Sequence, residues 1–408
     1  GPTTLFRVAS ITKTFTATAV MRLVEQSRLD LDAPLRRFLP DLRLADPDAT
    51  ERATLRHCLD HRGGWTGDVF DDFGRGDDAL ARYVAHMAEV PQLTPLGQIW
   101  SYNNAGFCLA GRALEIATGL TFEQAIQELL LDPLEMTRSC FFAEEIVTDQ
   151  VAAGHVALDD GPRVIRPWLL PRAGHAMGGL VSCVDDLLRW ARFHLGDGTA
   201  PGGARLLRRE TLDHMHAALA PAGSLADAIG VAFQTTYLAG VPTVGHGGNW
   251  LGQLSSLRLV EPRDFAVVVL TNGHRGAELH GQVTAAALAE HLGLVPPPRQ
   301  LLELPAERLR EHAGAYTAAI DDVALSVRDG ALVLDQTRRM DLMGARPEIP
   351  RPPPVRLGFV APDRVVGLDP PSEGARGEFL RAPDGQITWF RWGGRIHRRA
   401  PTPSLPQV

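Results

Sequence analysis

Lysine is nearly absent from this chain of 408 residues. Lysine and arginine together number 41, and Lys13 is the only lysine among them. Codon bias can exchange lysine for arginine wherever any cation serves, but only the lysine amine readily loses its proton. A lysine that remained on a helix surface by chance is the plain alternative. The scarcity therefore makes Lys13 a candidate for proton-transfer chemistry.

Other scarcities exclude whole classes of protein. The net charge of -7 offers no basic surface to nucleic acid, and no apolar run is long enough to span a membrane. The G-x-S-x-G turn of α/β-hydrolases does not occur. Neither a zinc knuckle nor a dense disulfide framework is indicated, because the cysteines are isolated and form no C-x-x-C pair: Cys58, Cys108, Cys140 and Cys183.

The length and composition predict a globular protein of two domains. Hydrophobic residues make up 45% of the chain and charged residues 22%, which is typical of such proteins. No signal peptide is recognisable, and a cytoplasmic protein is therefore expected. The sequence does not indicate the oligomeric state.

The hydrophobic pattern predicts the fold class of the larger domain, residues 1–295. Two strand-like runs, Ser255–Val260 and Phe265–Thr271, are separated by four residues and predict an antiparallel hairpin. Helices and strands do not alternate regularly, so we expect an α+β fold with an antiparallel sheet flanked by helices. Helical spacing of apolar residues predicts helices at about 10–27, 107–118, 122–131, 183–195 and 281–292.

The pattern changes after a proline-rich linker, residues 296–303. Short β-like runs then alternate with turn pairs such as Asp329-Gly330 and Asp384-Gly385, which are typical of hairpins. Residues 304–408 are therefore predicted to form a small all-β domain, a barrel or a sandwich.

Three short segments carry chemistry. Ser10 and Lys13 lie three residues apart at the start of the first helix, where hydroxyl and amine share one face. A serine attacks well only when a neighbour takes its proton, which a neutral lysine amine can do. The N-terminus of the helix also stabilises developing negative charge.

The second and third segments add polar groups. In Tyr102-Asn103-Asn104, a phenol near a cation can act as general base and then return the proton. Asn104 would orient Lys13 and a substrate carbonyl. In the segment 246–249, His246 could supply a positive charge or a hydrogen bond, and Gly247 and Gly248 would let a substrate backbone lie against a strand edge.

Each segment also has an ordinary interpretation. S-x-x-K arises by chance in many chains, and a Tyr-Asn-Asn sequence is often a plain turn. The glycine-rich segment could be a surface turn. His57 and His61, four residues apart, resemble a metal-binding pair, but they lack the glutamate of the H-E-x-x-H motif.

Taken together and in this order, the segments resemble the S-x-x-K, Y-x-N and K/H-x-G motifs of the serine β-lactamase and penicillin-binding-protein superfamily. The similarity is greatest to class C β-lactamases, S12 peptidases and family VIII esterases, and residues 304–408 are similar to a lipocalin-like domain that some members carry. Further segments extend the resemblance: Phe6–Ser10, Leu29–Pro34, Leu55–His61, Pro133–Met136 and Gly178–Ser182.

The resemblance implies a β-lactamase/transpeptidase-like fold and a role for each motif residue, and it implies neither a metal nor a cofactor. Ser10 would be the acylated nucleophile, Lys13 its activating partner and Tyr102 the general acid/base. Asn104 and the 246–249 segment would bind the substrate, with the backbone N–H groups of Ser10 and Asn249 forming an oxyanion hole.

The expected function is that of a serine hydrolase acting on small esters, or on amides that include short peptides with a D-residue. His-Gly-Gly replaces the Lys-Thr-Gly associated with efficient β-lactam hydrolysis, so strong β-lactamase activity is not expected. One alternative keeps the acyl-enzyme but passes the acyl group to an amine, as in peptide cyclases. Another is a non-catalytic binding or scaffold protein with an inherited pocket.

The family usually has a strand pair before the serine motif, and this chain has almost nothing there.

Overall fold

The computed structural model describes residues 1–168, 170–273, 275–339 and 349–401. These form two compact units. The first contains residues 1–221 and 228–296, and the second contains 222–227, 297–339 and 349–401. Residues 340–348 and 402–408 of the predicted β-domain lie outside the described residues.

The first unit is built on an antiparallel sheet of six strands. The strands are β5 (Ala220–Pro221), β6 (Ala228–Ile229), β7 (Gln234–Leu238), β8 (Val241–Trp250), β9 (Gln253–Val260) and β10 (Phe265–Thr271). Their order in the sheet is β10-β9-β8-β7-β6-β5. The hairpin predicted from the sequence joins β9 and β10 through a turn in which Asp264 is left-handed. Two small antiparallel pairs lie outside this sheet: β1 (Phe6–Arg7) with β4 (Val181–Ser182), and β2 (His155–Leu158) with β3 (Gly161–Val164).

Helices supply the rest of the unit, so the predicted α+β class is confirmed. The predicted helix 122–131 is α-helical only to Ile126 and continues as a π-helical turn, Gln127–Leu131. The helices are α1 (Thr12–Glu25), α2 (Pro47–Arg52), α3 (Leu55–Leu59), α4 (Ala79–His86), α5 (Ala105–Thr118), α6 (Phe122–Ile126), α7 (His175–Gly178), α8 (Val184–Leu195), α9 (Arg209–His216) and α10 (Gly276–Leu292). No helix among the described residues is long and apolar enough to cross a membrane.

Helix α1 runs through the centre of the unit. It is buried almost all round, although four of its first seven residues are threonines. Their hydroxyls are satisfied inside the protein, as when Thr14 donates to the Ile11 carbonyl and Thr16 to the Ala176 carbonyl. A helix that is apolar or internally satisfied on every face is stable only in a core. Residues 9–11, which lead into α1, contact strands β8 and β9 of the sheet.

Strand β10 forms one edge of the sheet. Its seven residues are all half-buried, whereas most of the neighbouring β9 is buried. Before Ser10, the described residues contain the two-residue strand β1, which pairs with β4 outside this sheet.

The second unit is a closed antiparallel barrel of eight strands, each hydrogen-bonded to the next in sequence, with the last pairing back to the first. Tyr316, Phe379, Phe390 and other apolar side chains fill its interior. The Asp329-Gly330 turn has two positive φ angles, as the sequence pair indicated. The elements are α11 (Ala306–His312), β11 (Gly314–Thr317), β12 (Asp321–Arg328), β13 (Ala331–Arg338), β14 (Val355–Ala361), β15 (Arg364–Gly367), β16 (Arg376–Arg381), β17 (Ile387–Trp392) and β18 (Arg395–Arg399).

Candidate active site

Ser10 lies in a tight turn between β1 and α1. A 3-10 helix, Ala9–Ile11, directly precedes α1, and Ala9 has a positive φ of 45°. The Thr12 hydroxyl closes the turn, because it donates to the Ala9 carbonyl at 2.6 Å and accepts the Leu180 N–H at 3.1 Å. A residue with a side chain adopts such a backbone only when its surroundings impose it. The serine is therefore held in one orientation at the head of the central helix.

Lys13 is fully buried beneath Ser10. Its Nζ lies 3.0 Å from Ser10 Oγ and 2.6 Å from the Met177 carbonyl oxygen. The same nitrogen lies 5.0 Å from the ring centroid of Tyr102 and 5.4 Å from that of Phe107. The chain's one lysine is thus in hydrogen-bond contact with the serine and packed against the tyrosine that the sequence analysis singled out.

Tyr102 and Asn104 lie in the loop that leads into α5. Tyr102 is buried, and Asn104 is the residue that precedes the first turn of the helix. The Asn104 side chain donates from Nδ2 to Asp68 Oδ1 at 2.7 Å. The intervening Asn103 ties the loop down, since its Oδ1 accepts from the Trp65 indole and from the Gly106 N–H. These hydrogen bonds fix the loop to Trp65 and Asp68 and to the first turn of α5.

The third segment lies on β8, beside the serine turn. Strand β7 pairs with β8 only as far as Gly245, whereas β9 continues to Trp250. Residues 246–250 therefore extend past β7 and have one strand edge that pairs with no other strand of the described chain. A Cβ atom on Gly248 would lie 3.0 Å from the Ser10 backbone nitrogen and 2.2 Å from the Val8 carbonyl oxygen. Only glycine allows this close approach.

His246 is buried and uncharged at neutral pH. Burial, followed by the nearby Lys13, lowers its pKa to about 3. Its Nδ1 donates to the Gly247 carbonyl at 2.5 Å, and its Nε2 lies 3.5 Å from the Gln234 side chain. The sequence left open whether this histidine supplies a positive charge or a hydrogen bond. A neutral imidazole can offer only the hydrogen bond.

Some groups at the site were not found from the sequence. The Met177 carbonyl has no side-chain signal, because any residue can supply a backbone oxygen. Asp68 looks like one more acid of a polar loop. His57 and His61, the candidate metal pair, engage different partners: the His57 ring caps α3 through Thr54, and the His61 ring contacts the Tyr102 loop.

The chain matches the beta-lactamase family over residues 1–292. This protein belongs to that family. Its matched region includes Ser10, Lys13, Tyr102 and the 246–249 segment, so the chain is a serine hydrolase of the β-lactamase type, as the resemblance implied.

Two curated relatives and one solved structure are similar to this chain. The chain is 33% identical to penicillin-binding protein 4 of Amycolatopsis lactamdurans over 74% of its own length and 81% of the relative's. It is 37% identical to esterase EstB of Burkholderia gladioli over 46% of its own length and 56% of the esterase. The structure of SurE with D-Leu covers 98% of this chain and 88% of that protein, with a TM-score of 0.73 and 27% identity. The likeness to SurE thus includes both units.

Proposed function

We propose that the protein forms an acyl-enzyme on Ser10 and hydrolyses esters, or amides that include short peptides with a D-residue. The observation that carries this proposal is the 3.0 Å contact between Lys13 Nζ and Ser10 Oγ in a site where the lysine is fully buried. A buried amine next to a strained serine turn has little structural purpose, and such arrangements concentrate where chemistry occurs.

Each residue has a defined part in the reaction. Lys13 and Tyr102 take the Ser10 proton while Oγ forms a bond to the substrate's carbonyl carbon. The N–H groups of Ser10 and Asn249 receive the negative oxygen. When the tetrahedral intermediate collapses, the bond to the leaving alcohol or amine breaks and that group takes its proton from Tyr102. Water then attacks the acyl group and frees Ser10.

The substrate class follows from the groups around the serine. The open edge of residues 246–250 offers backbone donors and acceptors to an extended, peptide-like acyl group. Phe70 and Trp250 contact each other at 5.2 Å between ring centroids where β8 ends, which favours an apolar substituent there. The names of EstB and of SurE with D-Leu agree with an ester or a D-residue as substrate.

One observation supports an amine, in place of water, as the acceptor of the acyl group. The likeness to SurE extends over 98% of this chain, including the barrel, and that protein was crystallised with D-Leu. An amine at the acceptor position would attack the acyl group in place of water and form an amide. Adding a D-leucine amide to the turnover assay separates the two reactions, because transfer gives an acyl-leucine amide and hydrolysis gives the free acid.

Intact-mass spectrometry tests the acyl-enzyme directly. The wild-type protein is incubated with an activated ester, a fluorophosphonate and a penicillin, and each adduct is located by peptide mapping. We expect an adduct on Ser10 that disappears in Ser10→Ala and persists in the control Ser27→Ala, which changes an exposed serine at the other end of α1. An adduct that survives Ser10→Ala would overturn the assignment of the nucleophile. Failure of all three probes would overturn the enzyme proposal.

A further inference from the structure

His61 is a buried histidine that the mechanism above does not use. It follows α3 and has a φ of 62°, in the left-handed region. The Arg62 N–H bonds to the His57 carbonyl at 3.0 Å, as at the end of a helix closed by a Schellman motif. Glycine is the usual residue at this position because it adopts the conformation without strain, and asparagine occurs there less often. A histidine here has a backbone cost that the contacts of its ring must offset.

The ring and backbone of His61 hold three consecutive residues of the Tyr102 loop. The His61 carbonyl accepts the Ser101 N–H at 3.1 Å, and ring atom Nδ1 accepts the Asn103 N–H at 2.9 Å. Between these two bonds, the imidazole stacks on the Tyr102 ring with centroids 4.5 Å apart and planes 26° apart. One residue therefore fixes the backbone on both sides of Tyr102 and one face of its ring.

The neighbours of His61 make this contact rigid. Only 1% of the residue is exposed, and the rings of Trp100 and Phe107 lie 5.7 and 5.3 Å from the imidazole. Phe107 in turn packs against the Lys13 amine. The Asn103 carbonyl oxygen also lies 3.2 Å from Nδ1, so both polar backbone atoms of Asn103 contact this one ring nitrogen.

We propose that His61 is a positioning residue for the acylation step, which fixes the Tyr102 phenol relative to Lys13 and Ser10. This rests on the proposed function. Proton transfer depends steeply on geometry, and a displacement of about 1 Å can slow a reaction by about 100-fold. His61 touches neither the serine nor the substrate in this assignment, so its whole effect passes through Tyr102.

A double-mutant cycle tests this dependence. His61→Gly removes the ring and relieves the backbone, and His61→Asn keeps a hydrogen-bond acceptor in a residue that tolerates the left-handed region. We expect His61→Gly to lower the acylation rate constant by about 10- to 100-fold, with a smaller change in KM. His61→Asn should lose less. In a Tyr102→Phe background the same changes should have no further effect, and equal losses in both backgrounds would overturn the proposal.

Ser27→Gly is the matched control. Ser27 ends α1 in the same way, with a φ of 57° and a bond from the Arg28 N–H to the Leu23 carbonyl, but it is exposed. The Ser27→Gly variant should be acylated on Ser10 at the wild-type rate. A loss equal to that of His61→Gly would attribute the effect to backbone change alone and overturn the proposal.

A second measurement keeps the inference separate from the proposed function. The chain has four tyrosines, so 3-fluorotyrosine labelling gives four 19F signals, and Tyr102→Phe identifies one of them. In His61→Gly this signal should broaden or split as the phenol samples several orientations, whether or not any probe acylates the protein. A sharp, single Tyr102 signal in that variant would overturn the positioning role. Absence of adducts in the wild type, with the spectral change present, would overturn the proposed function and the link to acylation, and would leave only the positioning of the Tyr102 ring by His61.

Discussion

The buried base beside Ser10 and the buried bases of the barrel lie in different surroundings. In the first unit, Lys13 contacts a hydroxyl, a carbonyl oxygen and two aromatic rings. In the barrel, buried bases meet carboxylates: His397 bonds to Asp321 at 2.8 Å and Arg391 to Glu378. A carboxylate favours the charged form of a neighbouring base, whereas a hydroxyl, a carbonyl oxygen and aromatic rings provide no full negative charge. A buried base is therefore structural in these barrel pairs and suited to catalysis beside Ser10.

Replacing the buried cation of each unit by the other type of cation gives the largest expected difference in acylation rate. Lys13→Arg keeps a positive charge but removes the exchangeable amine, and acylation should fall by about 100- to 10,000-fold. The reciprocal swap in the barrel, Arg391→Lys, should leave acylation unchanged and lower the thermal midpoint. The rate of adduct formation by mass spectrometry and the melting curve provide the two readouts. A Lys13→Arg enzyme with full activity would remove the distinction between the units.

Glu123 sharpens the comparison, because it is a carboxylate that is paired with basic side chains inside the first unit. Burial alone would raise its pKa, but hydrogen bonds from His175 and Arg172 outweigh this and lower the pKa to about 2. A carboxyl whose folded pKa is lowered stabilises the fold above its unfolded pKa, and this stabilisation disappears as the pH falls from about 5 to about 2. The contribution at neutral pH is about 3 kcal/mol.

The test is Glu123→Gln, compared with the wild type by urea unfolding at pH 7 and near pH 3. The variant should be less stable by about 3 kcal/mol at pH 7, with the difference narrowing in acid. His175 begins α7, which also supplies the Met177 carbonyl to Lys13. Hydrogen exchange of α7 peptides should therefore rise with the loss of stability. A difference independent of pH would show that the ion pair is not the source.

Asp321→Asn gives the smallest expected effect, confined to the barrel. The pKa of Asp321 is lowered, because the His397 hydrogen bond and charge outweigh burial, which alone would raise it. Asparagine keeps an acceptor but loses the charge, which should cost about 2 kcal/mol. This loss should apply above about pH 4 and fade below it, since the wild-type carboxyl then protonates. Hydrogen exchange of barrel peptides measures it, and a parallel fall in acylation would contradict the separation of the units.

Much of the fold could be predicted because local pattern and tertiary structure agree. The hairpin of β9 and β10 follows from two apolar runs around a short turn, and Asp329-Gly330 adopts the positive φ angles that this pair favours. The eight-stranded closure of the barrel could not be read from those runs, because strand pairing between distant segments leaves no local mark. Neither could the short β7, which exposes the edge of residues 246–250.

The site was predictable to the extent that rare residues carry it. Lys13 and Tyr102 belong to residue types used once and four times in the chain, and the structure brings them together. The contributions of Met177 and His61 were hidden for different reasons. Met177 acts through its backbone, and the left-handed angle of His61 is set by the end of α3 and by packing on Tyr102. Only three-dimensional structure reveals either.

The burial of Lys13 has a practical consequence for labelling and proteolysis. Since it is the chain's only lysine and has no exposed surface, the described fold offers amine-reactive reagents no ε-amino group. Any dye or biotin attached to a lysine side chain would therefore report that α1 had opened. A lysine-specific protease would likewise cut at one bond, after Lys13, and only once the centre of the first unit had come apart. Modification or cleavage at Lys13 therefore measures whether the active site is still folded.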